Sequence, residues 1–329
     1  MPLILAGDVG GTKTILAVYS LENGKLQLLL KEKYKSKEFK TFDDLLKNFL
    51  KTIKIIVSNA VLGVPGPVLH KLCKTPNLPW VLDSDKLAKK FHFSKIKLVN
   101  DFYSFGTGIE LLPNSDFVQL NSAKPIEKKV RAFIGAGTGL GEAIAVWWDG
   151  YHVYSSEGGH SDFAPRNEFE IALLNCLHKK FNHVSVERLL SGRGLTTIYR
   201  FLKEENIDPE EDSSLKIVEK AANRDEIAEK AVDAFLSIYG AEAGNMALRA
   251  KAISGVYIGG GIARALLITN KKKIFLDAFY NKGRLSYLMK RIPVYLVMNA
   301  EVGVFGAANY ARKFFFNEDY PTSAYPQDL

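Results

Sequence analysis

Cysteine is scarce in this chain of 329 residues: there are two, Cys73 and Cys176, far apart and without a partner motif. That excludes a disulfide framework and a cysteine zinc site, and it points to a reducing compartment. No apolar run is long enough to cross a bilayer, so no membrane partner is expected. Nor is there a signal-peptide pattern. The chain opens straight into a strand, and the cytoplasm is the expected location. The last residues, Gln327-Asp328-Leu329, only faintly resemble a peroxisomal address and do not change that expectation.

What is present is ordinary for a globular protein: 47% hydrophobic and 24% charged residues, enough for a sizeable core in two domains or one large one. The balance is basic, with a formal net charge of +8, which raises the question of nucleic acid. The lysines, however, are interleaved with acids, as in Lys31-Glu32-Lys33-Tyr34-Lys35-Ser36-Lys37-Glu38. Such a run reads as a solvated face, and no nucleic-acid partner is expected.

The most informative stretch is at the start. Leu3-Ile4-Leu5-Ala6-Gly7-Asp8-Val9 is an apolar run into a carboxylate, and Gly10-Gly11-Thr12-Lys13-Thr14 then leads into a second run, Ile15 to Tyr19. This is strand, tight turn, strand. The glycines suit a plain hairpin, and they equally suit bare backbone N–H groups held against phosphate with a metal ion near Asp8. A third strand, Leu26 to Lys31, completes a meander. A helix capped by Thr41 follows, then a strand pattern from Ile55 to Gly63, the stiff turn Val64-Pro65-Gly66-Pro67-Val68, and the rigid loop Thr75 to Trp80. Ser84 or Asp85 caps a short helix, and the strand Ile96 to Val99 runs into Asn100-Asp101 and another helix.

Past Pro113 the theme restarts. Val130 to Ile134 is a strand, Gly135-Ala136-Gly137-Thr138-Gly139-Leu140-Gly141 a glycine turn, and Ala143 to Trp148 and Tyr151 to Tyr154 are further strands. The order is that of the first unit, so the architecture is duplicated. Beyond come Ser156-Glu157-Gly158-Gly159-His160 and a helix from about Glu168 to Phe181. A second helix runs from Val186, breaks at Ser191 to Gly194, and resumes through Tyr199. The segment Glu204 to Ser214 is polar and reads as a loop. A long amphipathic helix spans about Arg224 to Arg249, and Gly255 to Ile262 is a strand ending in a third glycine turn. A strand from Pro293 to Met298, a helix from Glu301 to Phe314 with small residues for close packing, and a fraying tail from Asn317 close the chain.

Six stretches, in this order, resemble the bacterial-type glucokinases, sugar kinases of the actin-like ATPase superfamily. They are Gly7-Asp8-Val9-Gly10-Gly11-Thr12, Asn100-Asp101-Phe102, the 135–141 turn, Glu157 to His160 with Asp162-Phe163-Ala164-Pro165, Glu187-Arg188 with Ser191-Gly192 and Gly194-Leu195, and Gly259-Gly260-Gly261-Ile262. The resemblance covers essentially the whole chain and implies an α/β fold of two duplicated, ribonuclease H-like domains with a cleft between them. The small domain would be residues 1–112 with 302–329, and the large one 113–301. The implied activity is ATP-dependent phosphorylation of glucose at its 6-hydroxyl. ATP would lie against Gly7, Asp8, Val9, Gly10, Gly11 and Thr12, against Gly137 and Thr138, and against Gly259 and Gly260 beside the adenosine. Asp8 would hold Mg²⁺, directly or through water. Asp101 would be the general base, although a helix cap explains it as well. Asn100, Asp101, Glu157, His160 and Glu187 would bind the sugar. In isolation, Glu187 also reads as a solvated helix carboxylate and His160 as an ordinary loop histidine. Glu157 and His160 are three apart, which puts them on one side of a turn.

Another hexose kinase, or a sugar sensor without catalysis, shares much of this pattern. The retained Asp8, Asp101 and glycine turns argue against the sensor. The related kinase-and-repressor family carries a cysteine zinc motif and, in its repressors, an extension before the first glycine turn; neither is expected here. A homodimer is expected from the resemblance alone. Two departures stand out: Lys13, where relatives often carry asparagine, reads as pointing to solvent, and Arg193 stands where proline is common.

Overall fold

A computed structural model describes residues 1–53, 55–207 and 213–316. The tail expected to fray from Asn317, its last three residues, and residues 208–212 of the expected polar loop lie outside the described residues. By its internal contacts the chain forms two compact units: Met1–Pro113 with the chain from Asn299 onward, and Asn114–Met298.

In the first unit β1 (Leu3–Val9) is a central strand, which is why it is apolar almost throughout. It pairs antiparallel with β2 (Lys13–Glu22), and Val9 stands opposite Thr14 across the glycine turn. The edge strand β3 (Lys25–Lys35) is leucine-rich in its first half and charged in its second, where Lys31, Glu32, Lys33 and Lys35 discourage further pairing. Thr41 caps α1 (Phe42–Thr52) as expected, its Oγ1 accepting the Asp44 N–H at 3.2 Å. The next strand, β4 (Asn59–Val64), starts later than its apolar run: Ile55 and Ile56 are exposed and precede the pairing with β1. The rigid loop holds a short hairpin, β5 (Leu72–Lys74) with β6 (Val81–Asp83), closed by Thr75 N–H to the Trp80 carbonyl at 3.1 Å. Asp83, not Ser84 or Asp85, caps α2 (Ser84–Phe91). Then come β7 (Lys95–Asn100), parallel to β4, and α3 (Asp101–Ile109). The sheet order is β3-β2-β1-β4-β7.

The second unit repeats that scheme. An edge strand, β8 (Phe117–Gln119), precedes β9 (Arg131–Ala136), β10 (Leu140–Trp147) and β11 (Tyr151–Ser156), which form the antiparallel meander. The helices α4 (Glu168–His178), α5 (Gly192–Leu202), α6 (Ser214–Ala222) and α7 (Glu226–Ala250) follow. Parallel to β9 runs β12 (Val256–Gly259), which feeds α8 (Gly261–Leu267). Two further helices, α9 (Lys272–Tyr280) and α10 (Ser286–Met289), lead to β13 (Val294–Val297); like α6, they are not among the helices expected from the sequence. The order is β11-β10-β9-β12-β13-β8, the first unit's order with one strand added. Phe235 and Tyr239 of α7 and Phe275 and Phe279 of α9 are fully buried and anchor the core on one face of this sheet.

Ser191 to Gly194 is not a helix break. Ser191 is the cap of α5, its Oγ accepting the Gly194 N–H at 3.0 Å. The segment before it, Val186–Arg188, is a single 3₁₀ turn.

The closing helix α11 (Val302–Phe315) belongs to the first unit and packs on α3 at backbone distance. A Cβ on Gly306 would overlap the Ser104 carbonyl, and one on Gly108 would overlap the Val302 carbonyl. Asn309 Nδ2 then donates to the Thr107 carbonyl at 3.0 Å. Because backbone blocks the space, Gly306→Ala is expected to cost about 3 kcal/mol by overpacking. Equilibrium urea unfolding measures it, and a midpoint equal to that of the native chain would contradict the contact.

Candidate active site

The β1–β2 turn is built from its own backbone. Gly10 N–H donates to the Lys13 carbonyl at 3.0 Å, and Ser36 reaches in, its Oγ donating to the Gly10 carbonyl at 2.6 Å and its N–H to the Thr12 carbonyl at 3.1 Å. Asp8 sits half-buried at the end of β1. Desolvation pushes its carboxyl above the usual carboxylate range, and the Lys13 charge partly offsets this. Lys13 is therefore half-buried and acts on Asp8 rather than simply pointing to solvent. Gly303 at the start of α11 makes room for the same carboxyl: a Cβ there would lie 2.9 Å from Asp8 Cγ. Its small size serves Asp8 and not another helix. Among the described residues no group of three or more His, Cys, Asp and Glu side chains forms a metal cage.

Asn100 and Asp101 divide the work at the start of α3. The cap is Asn100, whose Oδ1 accepts the N–H groups of Phe102 at 2.8 Å and Tyr103 at 3.2 Å. Its Nδ2 donates to the Gly66 carbonyl at 3.3 Å, which ties the Pro65-Gly66-Pro67 turn to this helix. An amide has two N–H donors, so one remains for a ligand hydroxyl. The capping alternative for Asp101 is thereby corrected. Asp101 is the first residue of the helix, half-buried, with Oδ1 2.9 Å from the Phe102 N–H.

In the second unit, Glu157 caps a 3₁₀ turn over Gly158–His160, and the His160 N–H returns to the Glu157 carbonyl at 2.9 Å. Residues three apart eclipse in a 3₁₀ turn, so Glu157 and His160 share a side. The Glu157 carboxyl is raised above its usual range by desolvation, with His160 lowering it and Glu187 raising it, so the three groups lie within one electrostatic neighbourhood. Glu187 is half-buried and is not a solvated helix carboxylate. Its Oε2 accepts the Leu140 N–H at 2.8 Å, and a Cβ on Gly139 would lie 3.2 Å from its Cδ. Glu187 thus props the 137–141 turn with one oxygen and retains acceptor capacity for a hydroxyl. The turn is closed by Gly137 N–H to the Gly139 carbonyl at 2.8 Å and docked by Gly192 N–H to the Gly137 carbonyl at 2.9 Å.

The third glycine turn is dictated by the backbone. Gly260 has φ +98°, and a Cβ on it would overlap the Ala136 carbonyl. Beneath it lies a residue that the sequence pattern did not single out. The Tyr239 hydroxyl accepts the Ala136 N–H at 3.1 Å and lies 3.3 Å from the Gly259 carbonyl, to which it can donate. It joins the ends of β9 and β12, from which two glycine turns depart. A tyrosine with its hydroxyl in a core is signalled only by helical register with Phe235, which made it look like one more apolar residue.

The Glucokinase family model matches residues 5–314. The chain belongs to the glucokinase family. Among relatives of this glucokinase-family chain, the glucokinase of Nostoc sp. is 38% identical over 336 residues, covering 94% of this chain and 98% of the relative. The crystal structure of a glucokinase from an Antarctic psychrotroph is 27% identical and superposes with a TM-score of 0.77, covering 94% and 98%. That of the Balamuthia mandrillaris glucokinase in complex with glucose has a TM-score of 0.79 at 20% identity, covering 94% and 93%, a likeness of fold. The fold is thus the actin-like ATPase fold that the resemblance implied, and the enzyme is a kinase using ATP and a sugar. Among the described residues no helix is long and apolar enough to cross a membrane.

Tyr239→Phe would leave the buried Ala136 N–H without its acceptor. The expected cost is about 1–3 kcal/mol of stability, together with a higher KM for ATP as the two strand ends loosen. Denaturant titration and ATP-dependent kinetics check both. An unchanged KM for ATP would confine Tyr239 to a packing role.

Proposed function

We infer that this glucokinase-family enzyme moves the γ-phosphoryl group of ATP to the 6-hydroxyl of glucose, with Asp101 as general base. The family match over nearly the whole chain carries the reading. The position of Asp101 supports the role: Asn100 has taken the cap, so the Asp101 carboxyl is not needed to start the helix. In the reaction the 6-hydroxyl oxygen attacks the γ-phosphorus, its proton passes to an Asp101 carboxylate oxygen, and the bond to the β,γ-bridging oxygen breaks, leaving ADP.

The remaining roles follow from charge. Backbone N–H groups of Gly11 and Thr12 in one unit and of Thr138 in the other, with both threonine hydroxyls, suit phosphate oxygens, while Gly10 and Gly137 use their N–H groups to close the turns and keep side chains out of the way. Gly7 and Val9 flank Asp8 on the same strand. Gly259 and Gly260 suit the nucleoside side. Mg²⁺ would neutralise charge on the phosphates. Asp8 fits it: a half-buried carboxyl raised by desolvation is held ionised by a nearby divalent cation, and the lack of a cage of three among the described residues suits an ion that keeps most of its waters. Asn100, Glu157, His160 and Glu187 offer the mixture of donors and acceptors that a neutral sugar needs when it leaves water.

Asp101→Asn should keep glucose binding and lose roughly 10²–10⁴-fold in kcat, the usual scale for a general base; near-normal turnover would sink the assignment. ATP consumption is expected only with sugar present. Across glucose, fructose, mannose and an N-acetylated hexosamine, kcat/KM should be highest for glucose. A higher value for another hexose would move the substrate, and consumption independent of sugar would remove the function.

A further inference from the structure

The mechanism above makes no use of Glu142, a carboxylic acid that is 2% exposed in the middle of the second unit. It lies on β10, on the same face as Leu140 and Ile144, and therefore toward the core beneath the sheet. Its strand partners are Ile134 and Ser156, neither of which can neutralise a charge. Oε1 is buried and makes no hydrogen bond. Oε2 lies directly under Gly158: a Cβ at that position would collide with it and would stand 3.1 Å from Cδ. Gly158 is the first residue of the turn that joins Glu157 to His160. Its N–H donates to Ser156 Oγ at 3.3 Å, and that hydroxyl donates in turn to the Glu142 carbonyl at 3.4 Å. Gly159 is equally close-fitted, against Leu140. The turn thus rests on β10, with the Glu142 carboxyl as part of its seat.

The charges around that carboxyl are unfavourable to its ionisation. From α7, Tyr239, Glu242 and Arg249 face it; Arg264 of α8 lies near Tyr239; Glu157 and His160 stand on the turn above. Glu242 repels it. The cation that would help, Arg249, is bonded to Glu242 at 3.0 Å. Asn245 Nδ2 also donates to Glu242, at 2.9 Å, and the nearby Lys282 ammonium is spent on the Ala241 carbonyl at 2.9 Å and Asn245 Oδ1 at 2.6 Å. Burial first, and Glu242 second, push the Glu142 carboxyl up to about 7. A buried carboxylate without a partner must recruit water or remain protonated.

The geometry points to Glu142 as a positioning residue for the sugar: neutral, it seats Gly158 and so fixes Glu157 and His160; ionised, it lifts the turn to admit water and weakens sugar binding. This rests on the reading of Glu157 and His160 as sugar ligands. The sign follows from the chemistry. As pH rises through neutrality Glu142 loses its proton, so the KM for glucose rises while the KM for ATP does not.

The test uses the full-length enzyme with glucose and ATP as ligands. The native KM for glucose is expected to rise by roughly threefold to tenfold from pH 6 to pH 8.5 relative to Glu142→Gln, which cannot ionise. Glu142→Gln should keep kcat and the KM for ATP within about twofold of native at pH 6, the rescue expected of a neutral isostere. A ratio of the two glucose KM values that does not change with pH overturns the proposal. Glu142→Ala, which removes the seat, should raise the KM for glucose with kcat and the KM for ATP little altered; an unchanged glucose KM in a folded variant also overturns it. If that variant fails to fold, the Gln pH ratio decides. His160→Ala separates the two readings. If it leaves the glucose KM unchanged, the sugar-ligand reading falls. If it raises that KM while the Gln ratio stays flat, only the role of Glu142 falls.

Discussion

Strand ends that meet with no side chain between them are the constraint on which this molecule rests. The Ala136 carbonyl lies where a Cβ of residue 260 would be, and the Tyr239 hydroxyl spans Ala136 and Gly259. Backbone groups brought so close have to be paired or they cost more than the packing returns. The pairing comes from the turns themselves, from one buried hydroxyl and from Glu187 on Leu140. Turns held from within follow from this, which is the preorganisation that a charged ligand needs if binding is not to be spent on ordering loops.

The two units use the same sheet plan but stabilise it differently. The first covers its sheet with short helices and a glycine-lined contact between α3 and α11. The second adds an edge strand and a long helix whose aromatic residues fill the core. A glycine turn follows β1 in the first unit and β9 in the second, while the helix beginning at Asp101 and the turn at Glu157 to His160 occupy different places in the two repeats.

Much of this was legible in the sequence, because long apolar runs closed by glycine leave few other readings. The meanders, the parallel strands and the helix from Val302 followed from period and punctuation. The failures have physical causes. Ile55 and Ile56 are apolar yet exposed, and hydrophobicity alone extended β4 too far. At two helix starts neighbouring residues could cap, and only backbone geometry selects Asp83 and Asn100; at Ser191 the following glycines read as a break in a helix, although the serine caps a new one. Among the site residues, Glu187 was visible but its hold on the Leu140 N–H was not, since nothing in the chain between them signals the contact. Glu142 falls between the glycine turn and the strand read from Ala143, so nothing marks it, and the charges that act on it come from a helix a hundred residues further on.

The return of α11 to the first unit has a consequence for how the protein is made. β1, β4 and α3 are synthesised early, yet the helix that packs on them follows the entire second unit in the chain. The Asn114–Met298 segment carries its whole core in one continuous stretch and can consolidate as soon as it is released. The first unit can bury one side of its sheet early, because that core draws only on residues up to Leu98, whereas the side shared with α3 waits for residues 302–315, a long loop closure for contacts of large sequence separation. The first unit is therefore begun first and completed last, and a chain cut short before α11 leaves the side of β1 and α3 that α11 covers exposed for chaperones.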